Sequence, residues 1–506
     1  MPLLKILMAF FVVALMPVAG AQQPTATPTP TPVPDNLADA IRAEFVAAGL
    51  GPKAAVSVHV MQTGSRRNIV EIEADRPRKP ASLLKLATMA AALDLLGPDD
   101  MFTTVVETDG VVEKGILYGD IILKGGGDPS LGPRFSRDPQ NTAGILDEWA
   151  LELKKRGIKV VDGNILGDGT RYENERISRF WEQRDLAEWY SAEVSALCYN
   201  DNVHDILWKA GDTGSRPSFE AVPRTTYFSI NSSVRVGDPT MVGSRIRLFR
   251  FPESNEIRAR GLMPPKSTRY ELAAMNDPAA WTAHLFMERL EEQGIEVKGT
   301  ALNRVALQGF DAAQTTDTLT LIEHVSPPLR DMLPIVLGES QNLYAEVFLR
   351  EIARVMREPT TFMGGGAALT NWLREKRLHR TGFLATDGSG LGSFNRMTAR
   401  HVTDLLEYMK SSRDAELWRS SLASPGSRSM RSRMQESEFR GIAPRLLAKT
   451  GYVTGSHTLA GYLTAHNGKE YAFAIMVVDY EPALSLEARD LVDRIVLIMD
   501  ESKELN

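Results

Sequence analysis

Cysteine is almost absent from this chain, which carries Cys198 alone among 506 residues. An intramolecular disulfide is therefore impossible, so stability must come from packed cores rather than covalent cross-links. The eight histidines show neither an H-x-x-x-H nor an H-E-x-x-H spacing. Because those spacings are typical of metal sites, the sequence gives no support to metal catalysis, and we expect no cofactor.

Long basic runs are missing as well. The net charge is −6, and the arginine-rich stretch at 428–433 is short enough to be a solvated loop. Both features argue against nucleic-acid binding. The glycine run at 125–127 is not followed by the G-K-[ST] of a phosphate-binding loop, which argues against a nucleotide site of that type.

The N-terminus has the pattern of a secretory signal. Lys5 precedes an apolar run at 6–16, and Ala19-Gly20-Ala21 supplies an A-x-A cleavage site. We predict a signal peptide at 1–21 and an extended Thr/Pro-rich linker at 22–35. The apolar run is too short to span a bilayer comfortably, so we expect no transmembrane span in the mature chain. These features predict secretion to the periplasm or cell-wall space of a bacterium.

Three short motifs stand in order along the remaining sequence: Ser82-Leu83-Leu84-Lys85, Ser340-Gln341-Asn342 and Lys449-Thr450-Gly451. Each is weak alone, since an N-cap serine, a polar helix face or a simple turn would explain it. Together, S-x-x-K, S-x-N and K-T-G form the acylation site of penicillin-recognising serine enzymes.

The first motif lies where a nucleophile is needed. Residues 54–60 alternate like a strand, and the alanine-rich stretch 82–96 predicts a buried helix. Ser82 and Lys85 then share one face at its N-terminus. A serine hydroxyl needs a base to take its proton, and a lysine with a lowered pKa can be that base.

The second motif falls in a helical stretch at 332–355. Ser340 and Asn342 flank one residue, which is an awkward spacing for a regular helix face, so we predict a bend that turns both into a cleft. Ser340 could then pass a proton from Lys85 to a leaving amine. Asn342 could hydrogen-bond a substrate amide.

The third motif begins a predicted antiparallel meander at 446–451, 458–463 and 471–478. Lys449 and Thr450 can hold a carboxylate. Gly451 removes a side chain where a substrate backbone must approach, and the backbone N–H of Tyr452 can complete an oxyanion hole. These residues therefore predict a substrate-binding edge strand.

Ser340 lies 258 positions after Ser82, which exceeds what is needed to join two active-site helices. The region at 99–313 mixes helical and strand patterns and has no serine–lysine chemistry of its own. We therefore predict an α/β (mixed α+β) protein whose catalytic domain, an antiparallel sheet flanked by helices, is interrupted by a large mixed α/β insertion.

Beyond the triplet, the chain resembles the class C low-molecular-mass penicillin-binding proteins, the D-alanyl-D-alanine carboxypeptidase/endopeptidase family (peptidase family S13). Several further segments carry the resemblance: 123–131, 194–197 with 200–202, 324–329, 340–346, and Asp387-Gly388-Ser389-Gly390-Leu391 with 395–398. The resemblance implies a β-lactamase/transpeptidase-like domain split over 36–99 and 318–506. It also implies an inserted region at 100–317 that forms two nested accessory domains.

The resemblance also implies an activity, the cleavage of D-Ala-D-Ala ends and cross-links in peptidoglycan stem peptides. Ser82 would be the nucleophile and Lys85 its base, and β-lactams would acylate Ser82. Ser340 and Asn342 would move the proton and hold the substrate amide, and Lys449-Thr450-Gly451 would bind the terminal carboxylate. Asp185 and Tyr190 in the insertion are candidate stem-peptide contacts, with simple packing as the alternative.

The chain departs from the family pattern in places. Tyr452 stands where a small hydroxyl residue is usual, and Gly392-Ser393 replaces a Ser-Arg pair, which removes a cation. The G-T-L that is usual in the family is also altered, within 424–428. The departures at Tyr452 and Ser393 leave a catalytically silent wall-binding protein as an alternative. A serine β-lactamase would use the same acylation chemistry, but the long insertion and the lack of an obvious deacylating glutamate motif count against it. No motif indicates a protein partner or an oligomeric state.

Overall fold

The computed structural model describes residues 36–135, 144–308 and 317–506. The predicted signal peptide at 1–21 and the linker at 22–35 lie outside these residues. Within the three described ranges, no helix has both the length and the apolar character needed to cross a membrane.

The helices mostly follow apolar, alanine- or leucine-rich stretches. In chain order they are α1 Leu37–Ala47, α2 Leu84–Leu95, α3 Gly144–Lys155, α4 Pro278–Glu292, α5 Arg304–Gln308, α6 Leu329–Pro334, α7 Asn342–Val355, α8 Phe362–Glu375, α9 Ala399–Lys410, α10 Ala415–Ser421 and α11 Ser485–Glu501.

The strands fall at both ends of the chain and throughout the insertion. They are β1 Ala55–Gln62, β2 Arg67–Ile72, β3 Thr103–Thr108, β4 Val111–Glu113, β5 Ile116–Tyr118, β6 Ile121–Lys124, β7 Val160–Asp162, β8 Ile165–Asp168, β9 Val203–Lys209, β10 Ser218–Val222, β11 Ser229–Ser232, β12 Arg235–Val236, β13 Arg247–Phe249, β14 Glu256–Arg260, β15 Leu262–Met263, β16 Thr268–Ala274, β17 Glu296–Val297, β18 Ala301–Asn303, β19 Leu319–Val325, β20 Leu446–Val453, β21 Ser456–Thr464 and β22 Glu470–Val478.

The catalytic half is built on one antiparallel sheet in the order β2-β1-β22-β21-β20. Strand β22 shows why the sheet is covered on both sides. Phe473 and Ile475 point into a core shared with α1 and α11, whereas Ala474 and Met476 point into the core around α2 and α7. Alternate side chains of a strand face opposite sides, so a strand that is apolar throughout needs both faces buried.

Helix α2 passes through the centre of the second core and is buried along almost its whole length. It packs against α7, α8 and α9. Because α2 carries Lys85 and α7 carries Asn342, this packing brings residues 257 positions apart into contact. The C-terminal α11 packs on β21 and α1 and contributes Leu491, Ile495 and Met499 to the first core.

The insertion forms its own sheets, which include a five-stranded sheet in the order β18-β8-β6-β3-β19. Strand β19 pairs antiparallel with β3, although the expected boundary places β19 in the catalytic domain. The chain thus leaves this five-stranded sheet only after Val325, and the boundary between 317 and 318 stays a prediction. The division of the insertion into two nested domains stays a prediction.

The mixed α/β fold class is confirmed, with an antiparallel sheet between helices in the catalytic half. The predicted strands at 54–60, 446–451, 458–463 and 471–478 correspond to β1, β20, β21 and β22. The predicted helix at 82–96 begins later, since α2 starts at Leu84 and Ser82 lies in a 3-10 turn over Ala81–Leu83.

Candidate active site

The first motif places a serine hydroxyl next to a buried amine. Ser82 lies in the 3-10 turn that leads into α2, and Lys85 occupies the first turn of α2. The Lys85 Nζ is 2.9 Å from the Ser82 Oγ. Ala81 has a φ of +48°, a left-handed conformation that costs an L-residue about 1–2 kcal/mol. The residue before the candidate nucleophile is thus held in a strained position.

Lys85 is fully buried and its ammonium protons have further acceptors. Nζ donates to the Asn342 Oδ1 at 2.6 Å and to the Ser389 carbonyl oxygen at 2.8 Å. With Ser82, these groups fix the amine from three directions. The side chain therefore has no freedom to swing away from the hydroxyl.

Burial also changes the acidity of this amine. Desolvation lowers the pKa of Lys85 to about 7, although the nearby carboxylates of Glu346 and Asp387 act to raise it. A substantial fraction of Lys85 is then neutral near pH 7. The lone pair of a neutral amine can accept a proton, which is what a base beside a serine needs.

The second motif contains the predicted bend. A π-helical turn, Ile335–Glu339, ends at Ser340, whose φ is +73°, and the regular helix resumes at Asn342. This break points Ser340 and Asn342 into the same cleft despite their spacing. The Asn342 Nδ2 donates to the backbone oxygen of Tyr190, so the insertion helps to orient its amide.

The third motif brings a second amine to the cleft. The Lys449 Nζ donates to the Ser340 Oγ at 2.7 Å and to the Thr450 carbonyl oxygen at 2.9 Å. Burial, together with the positive charge of Lys85, holds the pKa of Lys449 well below its usual range. Two lysines and two serines therefore converge from helix α2, the bend before α7 and strand β20.

Gly451 explains why β20 can run so close to Ser82. A Cβ at this position would lie 2.2 Å from the Thr458 Oγ1 and 3.0 Å from the Ser82 backbone nitrogen. Any side chain would push the strand away from the nucleophile. The next residue, Tyr452, keeps 54% of its surface exposed and stacks on His457, with ring centroids 4.6 Å apart.

Comparison with known proteins identifies the family of this chain. The family model described as the D-Ala-D-Ala carboxypeptidase 3 (S13) family matches residues 43–498. The chain belongs to that family. The resemblance inferred from the motifs is confirmed, and membership makes the protein a serine peptidase.

Individual relatives cover most of the chain. A D-alanyl-D-alanine carboxypeptidase from Actinomadura sp. (strain R39) is 28% identical over 448 residues, which span 86% of this chain and 80% of the relative. The D-alanyl-D-alanine carboxypeptidase DacB of Haemophilus influenzae is 24% identical over 402 residues, 79% of this chain and 80% of that protein. The crystal structure of penicillin binding protein 4 (dacB) from Haemophilus influenzae has the same fold, with a TM-score of 0.75, 21% identity, and coverage of 91% of this chain and 99% of that one.

Sequence reasoning gave no role to the loop at 387–391, although its motif was recognised. Glu346 accepts hydrogen bonds from the backbone N–H groups of Gly388 and Ser389, both at 2.8 Å. Asp387 accepts from the backbone N–H of Gly390 at 2.9 Å. This loop presents the Ser389 carbonyl to Lys85, so it belongs to the S13 site. Glu346 and Asp387 both stand in segments that carry the family resemblance, and this was the sequence feature that could have indicated their role.

Trp181 joins the insertion to the same loop. Its indole Nε1 donates to the Asp387 Oδ2 at 2.9 Å, and this contact is buried. The two residues are 206 positions apart, and no local sequence pattern predicts a hydrogen bond over that separation. The insertion therefore supports the loop behind Lys85 as well as the amide of Asn342.

The two insertion residues singled out from the sequence lie at the edge of the site. Tyr190 reaches Asn342 through its backbone oxygen, and its hydroxyl hydrogen-bonds Asp185. Burial is the main cause that raises the pKa of Asp185. Both side chains are half-buried and neither touches Ser82.

The position of the missing loop cation is filled differently. The Ser393 carbonyl accepts a hydrogen bond from the Arg396 Nη1 at 2.9 Å, and the neighbouring Phe394 packs on Phe180 of the insertion with centroids 5.1 Å apart. The Phe394 residue keeps 54% of its surface exposed to solvent. Arginines are still present here, since the Arg179 guanidinium stands 4.8 Å over the Phe180 ring. Among the described residues, no group of three or more His, Cys, Asp or Glu side chains could hold a metal ion.

Proposed function

We propose that this protein is a secreted serine D-Ala-D-Ala carboxypeptidase and/or DD-endopeptidase that acts on peptidoglycan stem peptides through an acyl-enzyme on Ser82. The observation that carries the proposal is the 2.9 Å approach of the buried Lys85 amine to the Ser82 hydroxyl. Membership of the S13 family and the names of its curated relatives support the same reaction.

Acylation begins with a proton transfer. Neutral Lys85 takes the proton of Ser82, and the Ser82 Oγ attacks the carbonyl carbon of the penultimate D-alanine. The resulting oxyanion is held by the backbone N–H groups of Ser82 and Tyr452, which the close approach of Gly451 brings onto one side of the cleft. The tetrahedral intermediate then collapses to an ester on Ser82.

The leaving amine must receive a proton when the peptide bond breaks. The Ser340 Oγ accepts a hydrogen bond from the Lys449 Nζ at 2.7 Å, and the proton that Lys85 took from Ser82 passes to the amine through this hydroxyl. Ser340 relays the proton to the amine, and Lys449 keeps the relay hydroxyl oriented. Deacylation uses a water molecule: neutral Lys85 takes a proton from the water as its oxygen attacks the Ser82 ester, and returns that proton to the Ser82 Oγ when the ester bond breaks.

Substrate binding uses the other groups of the cleft. Lys449 and Thr450 hold the terminal carboxylate, and Asn342 hydrogen-bonds the amide of the penultimate residue. Asp185 and Tyr190 contact the rest of the stem peptide from the insertion side. β-Lactams imitate the dipeptide and acylate Ser82. The crystal structure of penicillin binding protein 4 (dacB) from Haemophilus influenzae complexed with a novel β-lactam has a TM-score of 0.69 to this chain, which supports β-lactam binding by this fold.

The deciding experiment incubates the mature protein and a Ser82→Ala variant with purified cross-linked muropeptides and identifies the products by mass spectrometry. Loss of one terminal D-alanine identifies a carboxypeptidase, and separation of two stems identifies an endopeptidase, provided that the variant is inactive. A folded wild-type protein that releases neither product contradicts the proposal and leaves the wall-binding alternative.

A fluorescent β-lactam separates the remaining alternatives. We expect the β-lactam to label wild-type protein covalently and to be released much more slowly than a peptide product. We expect no labelling of the Ser82→Ala variant. Rapid release of hydrolysed β-lactam would identify a β-lactamase instead.

A further inference from the structure

The small-strand region of the insertion differs in charge from the rest of the protein. Residues 203–275 contain 11 Lys/Arg and 7 Asp/Glu, a net charge of +4, whereas the whole chain carries −6. Such a local excess on an acidic protein favours attraction of anionic groups to this region.

Three of the eleven basic residues lie on one face of the three-stranded sheet β11-β14-β13, which also carries Glu256. Its inner side chains, Leu248, Ile257 and Ala259, are buried in the core of the insertion. The alternate residues on β13 and β14 point outward, and they place Arg247, Arg258 and Arg260 on the exposed face. We call these three residues the arginine face.

Two members of the arginine face lie directly opposite each other. Arg247 pairs with Arg260 across the antiparallel strands, and neither makes an ion pair with a residue in the described ranges. Like charges at opposed positions destabilise a sheet. Arg258 stands over the Phe251 ring at 5.0 Å and is paired with Glu256 at 3.1 Å. The unpaired cations of Arg247 and Arg260 therefore carry an unfavourable repulsion that a bound anion would relieve.

One end of the arginine face opens into a groove of about 530 Å³. Its lining combines an aromatic ring, amide and hydroxyl groups, and one charge of each sign, from Phe219, Asn231, Ser232, Arg216 and Glu256. Asn231 pairs with Arg258 across the sheet, so the groove and the arginine face are continuous. Groups of this kind suit a polar polymer rather than an apolar ligand.

The other end of the arginine face approaches the catalytic cleft. Arg250, directly after β13, donates to the Glu193 Oε1 at 2.6 Å and to the Ala274 carbonyl oxygen at 3.1 Å, and the Ala274 N–H donates to the Ala187 carbonyl oxygen at 2.9 Å. These contacts join the sheet of the arginine face to the 185–190 segment. That segment ends at Tyr190, whose carbonyl binds Asn342. A polymer whose stem peptide lies at Ser82 can consequently extend over the arginine face.

We propose that the arginine face binds the carboxylates of neighbouring, uncleaved stem peptides on the same peptidoglycan polymer. The inference rests on the proposed function, because every peptide on which that reaction acts ends in a carboxylate. Charge complementarity and continuity with the cleft favour this occupant. The rings of Phe249 and Phe251 pack edge to face, 5.0 Å apart, rather than projecting as a membrane wedge. The insertion thereby holds a polymeric substrate while one of its stems is cut.

The test measures binding by co-sedimentation in the Ser82→Ala background, which prevents turnover. The full mature chain is mixed with purified polymeric peptidoglycan, or with the same polymer after its carboxylates have been converted to methylamides. A third sample contains phosphatidylglycerol vesicles instead of the polymer. In a fourth sample, soluble polyphosphate competes with the native polymer for the protein. We expect R247Q/R260Q to raise the Kd for the native polymer about tenfold, from the loss of two charge-assisted contacts. The amidated polymer should bind weakly to both proteins.

The matched control is R67Q/R440Q, which removes two exposed arginines that also lack an ion pair to a described residue but lie in the catalytic half. This pair should bind the native polymer like the parent. An equal loss in both double variants, no loss in R247Q/R260Q, or undiminished binding to the amidated polymer overturns the proposal. Tighter binding to vesicles, or displacement of the polymer by polyphosphate at equal charge, identifies a different occupant and also overturns it.

A second measurement separates this inference from the proposed function. With Ser82 intact, R247Q/R260Q should hydrolyse a short diacetylated tripeptide ending in D-Ala-D-Ala with unchanged kcat and KM, because that peptide cannot reach the arginine face. Its KM for the polymer alone should rise. A wild-type protein inactive on the tripeptide contradicts the proposed function, whereas the sedimentation result still decides whether the face binds the polymer. Circular dichroism checks that each variant is folded.

Discussion

Glu346 holds Ser389 in place, since the Glu346 Oε1 accepts the backbone N–H of Ser389 at 2.8 Å. The other carboxylate oxygen accepts the N–H of Gly388 at the same distance. The Ser389 carbonyl oxygen in turn accepts a hydrogen bond from the Lys85 Nζ. Burial raises the pKa of the Glu346 carboxyl, with the charge of Asp387 as a second cause. The buried Glu346 carboxylate thus positions the Ser389 carbonyl, and that carbonyl positions Lys85, the candidate base.

The first prediction concerns this carboxylate. Glu346→Gln replaces one acceptor with a donor and removes a charge that raises the pKa of Lys85. We expect the rate of acylation by a fluorescent penicillin to fall about tenfold or more, since a buried hydrogen bond to a charged group is worth about 1.5–3 kcal/mol. The midpoint of the pH–rate profile should move to lower pH. Stopped-flow labelling from pH 5 to 9 measures both.

Glu351→Gln is the matched control for this change. Glu351 is buried on the same helix, but it accepts hydrogen bonds from Arg171 and Tyr172 of the insertion and does not contact Lys85. It should lower the melting temperature without moving the midpoint of the profile. If both variants shift the midpoint alike, Glu346 has only a structural role.

The second prediction follows from the lowered pKa of Lys85, about 7. Only the neutral amine accepts the Ser82 proton, so the acylation rate should rise with pH through about 7 and then level off. Lys85→Arg should be inactive over the whole range because a guanidinium stays protonated. A flat wild-type profile between pH 5.5 and 8.5 would show that Lys85 is not the base.

The third prediction uses a glycine that packs against the nucleophile turn. Gly390 has a φ of +85°, and a Cβ there would lie 1.9 Å from the Ala81 carbonyl oxygen. Gly390→Ala should abolish acylation and lower the free energy of unfolding by about 1–3 kcal/mol. Gly64→Ala has a similar φ of +76° with nothing within 4 Å, so it introduces the backbone strain alone. Equal penicillin labelling of the two variants would contradict the contact.

The fourth prediction concerns Tyr452, which stacks on His457 and leaves its backbone N–H in the cleft. Tyr452→Ser restores the small hydroxyl that is usual in the family while keeping the N–H. We expect a lower KM for a D-Ala-D-Ala peptide with little change in kcat, since the added hydroxyl binds the carboxylate in ground and transition states alike. Tyr452→Phe should leave both constants unchanged. A fall in kcat for Tyr452→Ser would show that the ring itself supports the cleft.

The fifth prediction is a loss of stability in acid. Burial, followed by the charge of Arg380, lowers the pKa of His401 to about 3, and its Nε2 accepts the backbone N–H of Arg380 at 2.6 Å. In the unfolded chain a histidine has a pKa of about 6.5, so below that pH the unfolded state binds the proton more readily. The free energy of unfolding should fall by about 1.4 kcal/mol per pH unit from this group as the pH drops below about 6.

Thermal melts between pH 7.5 and 4.5 measure this loss. His401→Gln keeps an acceptor but cannot titrate, so its melting temperature should depend less on pH than that of the wild type. His466→Gln removes a histidine whose side chain is 62% exposed and should leave the slope unchanged. The same slope in all three proteins would exclude His401 as the source.

The sequence identified much of the catalytic chemistry because that chemistry depends on local order. Ser82 and Lys85 share one turn, Ser340 and Asn342 flank a predicted bend, and Gly451 follows two carboxylate-binding candidates, so each motif is visible within a few residues. Strand β22 is visible in the sequence for the same reason, because its continuous apolar run indicates a strand that is buried on both faces.

The amino-acid sequence by itself thus determined the residue types, their order and the local elements that carry them, because helix faces and strand alternation follow from short-range periodicity. Only the tertiary structure decided which distant groups meet. The contacts Trp181–Asp387, Tyr190–Asn342 and Glu346–Ser389, the pairing of β19 with β3 and the opposition of Arg247 and Arg260 all depend on how elements far apart in the chain pack. No local pattern encodes such packing, since burial and register are properties of the assembled core.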